Sequence, residues 1–390
     1  MATDLGVQSR EGLIDQVRRV GAEIAAPAAG DVDRNARFPR EAIDALRELR
    51  LLGALVPVEH GGLGCTVSEV ADMCDVLGQH CANTAMVFAM HQIQVACIVH
   101  HGLDTQYFRD YARELCEKQL LLASATTEVN VGGDVRTSIC SVNRTGNRFA
   151  LAKQAPVISY GAEADDILVT ARSAPDAASS DQVIVLARKA GTKLKQTSGW
   201  DTLGFRGTCS LGFVLESEGE VDQIIPVPYA DVSARTMHPI SHIVWTSLWL
   251  GLASDAVSKA RAFVRAEARK KPGTTPPGAI RLAELVSTLQ TMRANVHDVT
   301  HEYEALLPDP EALSGMSFTI KANNLKIACS KLVVDVVSQA MLICGISAYK
   351  HDTKYTLGRH LRDAYGAALM INNDRIYNAN ASLLLVSKDE

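Results

Sequence analysis

The chain has 390 residues, of which 47% are hydrophobic and 21% are charged. This length suits two or three packed domains, and the composition excludes disordered and collagen-like proteins. The 44 acidic side chains outnumber the 39 of Lys and Arg, for a formal net charge of -5. Since no basic field is available to bind a nucleic-acid backbone, we expect no nucleic-acid partner.

The first residues lack the basic and apolar regions of an export signal, and no stretch of 18 consecutive residues is wholly apolar. The sequence therefore predicts a cytoplasmic protein with no membrane partner. None of the nine cysteines forms a CxxC pair, which favours buried, reduced thiols over a disulfide framework. No metal site is predicted.

The pattern of apolar residues changes twice along the chain. Residues 1–120 have helical spacing, interrupted at 57–64, where one proline and three glycines predict a turn. Residues 121–235 contain short Val, Ile, Leu and Thr runs, which predict a central antiparallel β-barrel or sandwich domain. Helical spacing returns in 236–390 and predicts a C-terminal bundle of about four helices, with the last helix at 357–382. The fold class is therefore α+β.

Two loops contain groups that suit ligand binding. Residues 125–136 read ATTEVNVGGDVR, where paired glycines expose backbone N–H groups and threonines add hydroxyl donors. Residues 199–210 read GWDTLGFRGTCS and place an arginine and hydroxyls in a turn between strands. Either loop alone is typical of an ordinary turn.

Four segments in this order together resemble motifs of the acyl-CoA dehydrogenase family. They are VPVEHGGLG at 56–64, TEVNVGGD at 127–134, LGFRGTCS at 203–210, and Gly345 together with RHLRD at 359–363. The resemblance extends over nearly the whole chain. It implies a flavin, FAD or alternatively FMN, held between the β-domain and the bundle of a homotetramer or homodimer.

The resemblance also implies a substrate and an electron partner. The substrate would be a small molecule or an acyl thioester, carried on coenzyme A or on a carrier protein. The redox partner would be an electron-acceptor flavoprotein or a flavin reductase. Six positions match cofactor-binding residues of the family: Thr127, Gly132, Gly133, Ser159, Arg269 and Gly345. Arg269 matches an arginine that reaches the flavin diphosphate of a neighbouring subunit, which a planar guanidinium can bind through two hydrogen bonds.

The sequence departs from the family where the chemistry takes place. The resemblance puts Ile371 at the position of the glutamate that removes the substrate α-proton, and an isoleucine cannot accept a proton. An alternative glutamate position in the first bundle helix falls at about Ser241 and His242, again without a carboxylate. Val157 replaces a tryptophan that stacks on the flavin, and Leu342 replaces a glutamine that contacts it.

Three hypotheses follow from these departures. In the first, the protein dehydrogenates an acyl thioester with another base, and the candidates are His242, His351, Asp352 and Asp374. In the second, it resembles the flavin monooxygenases of the same fold, which oxygenate sulfur, nitrogen or aromatic carbon without an α-proton base. His91, His242 or His360 would then face the substrate. In the third, the protein binds a ligand without catalysis.

Several of these side chains also have ordinary structural interpretations. His91 lies in an apolar helix, where a packing role is expected. Trp245 and Trp249 are four residues apart on one helix face, which is typical of core residues. We expect Asp363 to form an ion pair with Arg359 or Arg362.

Overall fold

The computed structural model describes residues 10–387 apart from Gly133, with side chains from residue 12 onward. Gly133, a predicted flavin contact, therefore lies outside the described residues. The order of elements is helices, then strands, then helices, as predicted.

The N-terminal domain is helical. Helix α1 continues through a π-helical segment, Val20–Ala25, into α2. The helices of this domain are α1 (Arg10–Arg19), α2 (Ala26–Arg34), α3 (Arg40–Glu48), α4 (Val67–Gly78), α5 (Ala82–His101) and α6 (Gln106–Lys118). The predicted break at 57–64 is a tight turn, in which a Cβ on Gly62 would lie 2.0 Å from the Val56 carbonyl oxygen. Only glycine fits there.

The middle domain contains two sheets. Its strands are β1 (Leu122–Ala125), β2 (Asn143–Thr145), β3 (Arg148–Ile158), β4 (Asp166–Arg172), β5 (Gln182–Arg188), β6 (Thr192–Ser198) and β7 (Leu211–Glu220). The strand orders are β1-β4-β5 and β2-β3-β7-β6, so the sheets form a sandwich and do not close into a barrel.

The prediction of a wholly antiparallel domain is wrong for one pair, because β1 and β4 are parallel. After β1 the chain passes through the hairpin of β2 and β3 in the other sheet before it returns as β4. A connection of this length allows parallel pairing, which a short hairpin does not.

The C-terminal domain is built around one long buried helix. Its helices are α7 (Tyr229–Val232), α8 (His238–Lys270), α9 (Gly278–Leu306), α10 (Pro310–Leu313), α11 (Met316–Cys344), α12 (Ile346–Tyr349), α13 (Gly358–Gly366) and α14 (Asn373–Leu384). Every residue of α8 from Pro239 to Leu252 is buried, including Trp245 and Trp249. Helix α4 crosses α8 closely, since a Cβ on Gly251 would lie 2.0 Å from the Asp75 carbonyl oxygen.

Helices α8 and α11 run in the same direction. The His242 ring in the first turns of α8 bonds the carbonyl of Ala322 near the start of α11. Towards the other ends of the two helices, Val264 and Ile343 both lie 3.4 Å from the Cβ position of Gly278. The bundle therefore has one end near His242 and another beyond Val264.

The predicted helix at 357–382 is two helices, α13 and α14, joined by a turn at 367–372. Ile371 has a φ of 46°, in the left-handed region, which ends helical geometry. Helix α14 then restarts after Asn372, whose side chain accepts a hydrogen bond of 2.8 Å from the Asp374 N–H. The turn itself contains neither glycine nor proline, and Gly366, the last residue of α13, is the one glycine beside the break.

The expected pairing of Asp363 is wrong. Arg362 binds the carboxylate of Asp33 on α2 and donates a bond of 2.9 Å to the Leu203 carbonyl oxygen. Asp363 instead accepts a bond of 2.7 Å from the Phe205 N–H. Helix α13 thus joins the bundle to both other domains.

All nine cysteines are free, and seven of them are buried, as predicted. Two helices are long and apolar enough to cross a membrane by length and composition alone. In Ala82–His101 the most apolar window is 89% buried within the protein, and in Met316–Cys344 it is 50% buried. Among the described residues no group of His, Cys, Asp or Glu side chains could hold a metal ion.

Candidate functional site

The first predicted flavin contacts lie where β1 and β3 end. The Thr127 hydroxyl, just after β1, donates a bond of 2.9 Å to the Val157 carbonyl oxygen on β3. Ser159, just after β3, lies 2.8 Å from the Ser210 hydroxyl. The structure thus brings Thr127 and the end of β3 together, with hydroxyl groups that are partly exposed.

A buried carboxylate fixes the loop that follows Thr127. Glu128 accepts hydrogen bonds from the Ser138 hydroxyl at 2.7 Å, the Ile139 N–H at 3.0 Å and the Cys140 N–H at 2.6 Å. The Lys153 ammonium lies 3.8 Å from the same carboxylate. Sequence reasoning did not give Glu128 a role. The available signal was an acidic residue three positions after β1, at the start of a long loop.

Gly132 lies at the outside of this loop with a φ of 61°. Apart from its neighbours in the chain, no heavy atom of the described residues lies within 4 Å of the position a Cβ would take, so the backbone conformation is what requires glycine there. The surface above the loop is open. An open loop beside two hydroxyl groups fits the polar edge of a flavin ring, and Thr127, Gly132 and Ser159 would hold it.

His242 is the one predicted base that lies in the interior of the bundle with an unused ring nitrogen. Its Nδ1 donates a hydrogen bond of 3.0 Å to the Ala322 carbonyl oxygen, so Nε2 carries the lone pair. Nε2 is buried and has no hydrogen-bond partner among the described residues. Burial, together with the neighbouring His238 and Lys326, holds the pKa of His242 well below its usual value, so the ring is neutral.

Polar side chains surround His242 on three helices. The ring of His238, one turn earlier on α8, has its centre 4.3 Å from that of His242. His238 Nε2 lies 2.8 Å from the Asn323 Oδ1 on α11, and the Asn323 amide donates to Asn380 Oδ1 on α14 at 2.7 Å. These contacts fix the orientation of the His238 ring, which packs against the His242 ring.

Lys326 connects this cluster to the turn that contains Ile371. Its side chain is fully buried, and Nζ donates to the Ile371 carbonyl oxygen at 2.6 Å and to Asn373 Oδ1 at 2.7 Å. Burial lowers the pKa of Lys326 to about 7. The two positions where the resemblance expects a carboxylate, near His242 and at Ile371, are therefore both close to Lys326. Sequence reasoning missed this lysine, which is one of three on α11, with Lys321 and Lys331 five residues to either side.

His91 has both ring nitrogens occupied by the backbone. Nδ1 accepts from the Leu122 N–H at 3.0 Å, and Nε2 donates to the Leu52 carbonyl oxygen at 2.7 Å. Burial lowers its pKa to about 4. This geometry favours the packing role over the catalytic one. His360 is also buried, with Nε2 2.6 Å from Asp255 Oδ2 and Nδ1 without a partner among the described residues.

The remaining predicted residues lie on the surface. His351 and Asp352 are exposed in the segment between α12 and α13, and Asp374 is exposed in the first turn of α14. Arg269, also exposed, is in the last turn of α8, about 40 Å along the helix axis from His242. Gly345 ends α11 with a φ of 58°, about 35 Å along that helix from Ala322. Within one chain Arg269 and Gly345 are therefore not brought to His242.

Comparison with known sequences identifies the two helical domains. The profile of the acyl-CoA dehydrogenase N-terminal domain matches residues 8–119, and that of the acyl-CoA dehydrogenase C-terminal domain matches residues 240–370. Together the two matches cover more than half of the chain. They coincide with the helical domains on either side of the β-sandwich.

Individual relatives have several different activities. A cyclohex-1-ene-1-carbonyl-CoA dehydrogenase of Geobacter metallireducens is 25% identical over 359 residues, which are 90% of this chain and 91% of the relative. An L-evernosamine nitrososynthase of a Micromonospora species is 25% identical over 92% of this chain and 86% of its own. FMN-bound TdsC of Paenibacillus sp. A11-2 shares the fold, with a TM-score of 0.83, 19% identity and coverage of 97% and 98% of the two chains.

The matched domains, the order of elements and the arrangement of Thr127 with the end of β3 agree with one another. FAD is the flavin of the matching family, and the FMN in TdsC shows that the fold also accepts the shorter flavin. The chain belongs to the acyl-CoA dehydrogenase family of flavin-dependent oxidoreductases.

Proposed function

We propose that this protein dehydrogenates an acyl thioester between its α and β carbons, with His242 in the role that a carboxylate has in the family. The observation that carries the proposal is the unpartnered Nε2 of His242, which is buried beside the helix position where the resemblance expects a base. A buried nitrogen lone pair without a partner is costly unless a ligand uses it.

The surroundings of His242 set both its tautomer and its charge. The bond from Nδ1–H to Ala322 fixes the tautomer, so that Nε2 is the basic atom. Burial and the nearby nitrogen groups of His238 and Lys326 disfavour a positive charge on the ring, which keeps it neutral before substrate binds and also lowers its basicity. His242 can then take the α-proton of a thioester whose carbonyl withdraws electrons from the α-carbon.

A bound flavin would supply the acceptor for the hydride that leaves the β-carbon. Thr127, Ser159 and the backbone of the loop around Gly132 would hold its ring. Because Arg269 and Gly345 lie so far along the bundle from His242, they would serve the flavin of another subunit, as a homotetramer allows. We expect an electron-transferring flavoprotein to reoxidise the cofactor.

The test is the exchange of His242 for asparagine in the flavin-loaded protein. We expect H242N to reduce kcat for a panel of acyl-CoA substrates by at least about 100-fold, since positioned bases contribute about 100- to 10,000-fold. An artificial electron acceptor reports turnover, and the visible spectrum reports flavin content.

His360 provides the matched control, because it is also buried and also has an unpartnered ring nitrogen. H360N should keep kcat within a few-fold of the parent at equal flavin content. If H242N retained the parent turnover, or if H360N lost as much as H242N, His242 would not be the base.

One observation favours a second function, reduced-flavin-dependent oxygenation of sulfur, nitrogen or aromatic carbon. The turn where the resemblance expects the catalytic glutamate presents the alkyl side chain of Ile371, and the carbonyl group of Ile371 is bonded to Lys326. An oxygenation of this kind requires no base for an α-proton. The fold is also that of TdsC.

The two functions differ in how the flavin is held. Stoichiometric FAD in the purified protein, and reduction of that FAD by an acyl-CoA under anaerobic conditions, would support dehydrogenation. A colourless protein that binds only reduced flavin would support oxygenation, provided that ¹⁸O from ¹⁸O₂ appears in the product of an aromatic or amine substrate.

A further inference from the structure

The turn at 367–372 has a conformation that its sequence disfavours. Ile371 adopts a φ of 46°, and for a β-branched side chain this left-handed region is sterically unfavourable. Such a residue persists only where surrounding contacts hold it, and these positions concentrate at functional sites. Something in the fold must therefore hold Ile371.

Lys326 makes the contacts that could do so. Its Nζ bonds the Ile371 carbonyl oxygen at 2.6 Å and Asn373 Oδ1 at 2.7 Å, one on each side of Asn372. The amide of Asn373 in turn donates a bond of 3.0 Å to the hydroxyl of Ser330, one turn further along α11. The end of the turn and the start of α14 are thus attached to α11 through these polar bonds.

Burial of the Lys326 side chain costs free energy that an apolar side chain at this position would not cost. The Lys326 side chain is fully buried, and among the described residues no carboxylate forms an ion pair with it. A buried ammonium without a counter-charge is unfavourable unless its hydrogen bonds are needed. Its bonds go to the turn that contains the strained residue.

The same face of α11 also orients His242. Ala322, whose carbonyl binds the His242 ring, lies four residues before Lys326 and therefore on the same side of the helix. One helix face thus contacts both positions where the resemblance expects a base. A displacement of the turn would change the wall next to His242.

We propose that Lys326 is a positioning residue, which holds the 367–372 turn in its left-handed conformation and so places the Ile371 side chain at the wall of the substrate site. The proposal relies on the proposed function for the identity of that site. Stabilisation of the turn by Lys326 can be measured without any activity assay.

The experiment compares K326M with K331M in the flavin-loaded, full-length protein by hydrogen–deuterium exchange. Lys331 is the matched control, because it lies on the same helix and its Nζ bonds the Tyr377 hydroxyl of α14 at 2.6 Å, but it is exposed. We expect amide exchange in residues 367–376 to rise at least about tenfold in K326M and to stay within twofold in K331M.

A second substitution tests the strain. Glycine adopts a positive φ without steric cost. Amide exchange in residues 367–376 should therefore be closer to the parent value in the double variant K326M/I371G than in K326M. If K326M does not fold, K326Q, which keeps one donor, is measured in its place. Under dehydrogenation, K326M should lower kcat more than the substrate KM changes.

Two results would overturn the proposal. One is unchanged exchange at 367–376 in K326M. The other is a rise spread evenly over α8, α11 and α14, which would mean general destabilisation. A local rise in exchange in a protein that oxidises no acyl thioester would uphold the role of Lys326 in holding the turn while rejecting the proposed function.

Discussion

Two buried histidines, His91 and His242, are held in defined neutral tautomers by backbone groups. His91 is the clearest case, because the Leu122 N–H requires a bare Nδ1 and the Leu52 carbonyl requires a protonated Nε2. A proton added to Nδ1 of His91 would point at the Leu122 N–H, which is itself a hydrogen-bond donor. Burial accordingly lowers the pKa of His91 to about 4, and those of His101 and His360 also to about 4.

These shifts predict how stability depends on pH. In the unfolded chain a histidine binds a proton near pH 6.5, whereas folded His91 does not until about pH 4. The contribution of His91 to the free energy of unfolding is therefore present above about pH 6.5 and is lost as the pH falls towards 4. At pH 5 the loss from this one residue is about 2 kcal/mol.

Urea unfolding between pH 7 and pH 5 measures this effect. We expect H91Q to be less stable than the parent at pH 7 but to lose about 2 kcal/mol less between the two pH values. Equal slopes for the parent and H91Q would show that His91 does not contribute to acid sensitivity.

At the scale of elements, the loop between β1 and β2 depends on a single carboxylate. The three hydrogen bonds to Glu128 connect the start of the loop to its end at Ser138, Ile139 and Cys140. Between these points lies the segment with Gly132, on the open surface. The shape of the proposed flavin cradle thus depends on a residue beneath it.

Replacing Glu128 should therefore weaken flavin binding without removing any group that touches the flavin. We expect E128A to raise the Kd for FAD at least about tenfold, because the loop loses its three bonds and Lys153 loses its nearby carboxylate. Fluorescence titration of the apoprotein gives the Kd. The control is D134A in the same loop, where the side chain is exposed. An E128A protein with the parent Kd would contradict the prediction.

The order of the three domains could be read from the sequence, since apolar spacing follows the local period of helix or strand. The parallel pairing of β1 with β4 could not, because it depends on the path of the chain through a second sheet. The break before α14 was also hidden, because an isoleucine occupies the left-handed position. Of the candidate site, the motif predicts Thr127 and Ser159 as flavin contacts, whereas the contacts of Glu128 and Lys326 are formed only in the folded structure.

At the scale of the whole molecule, the three domains meet at α13. Arg362 binds the carboxylate of Asp33 in the N-terminal domain and the Leu203 carbonyl in the middle domain. The next residue, Asp363, binds the Phe205 N–H. Because Asp33 is buried, loss of the guanidinium would leave its charge uncompensated.

R362M should therefore destabilise the protein by about 2–4 kcal/mol, somewhat less than a fully buried pair because Arg362 is partly exposed. The comparison is R113M, which breaks an exposed ion pair with Asp110 and should cost about 0.5 kcal/mol or less. Urea unfolding measures both values. If both variants lost similar amounts of unfolding free energy, the contacts of α13 would not stabilise the packing of the three domains.

The left-handed conformation of Ile371 also limits how a carboxylate could be introduced at this position. A glutamate introduced at that position would stand on the same unfavourable backbone angle, with the Lys326 ammonium bound to its own carbonyl group. The nearby positive charge would stabilise the ionised carboxylate and make it a weaker base. The basicity of a carboxylate introduced there would therefore depend on Lys326 of the supporting helix as much as on the new side chain itself.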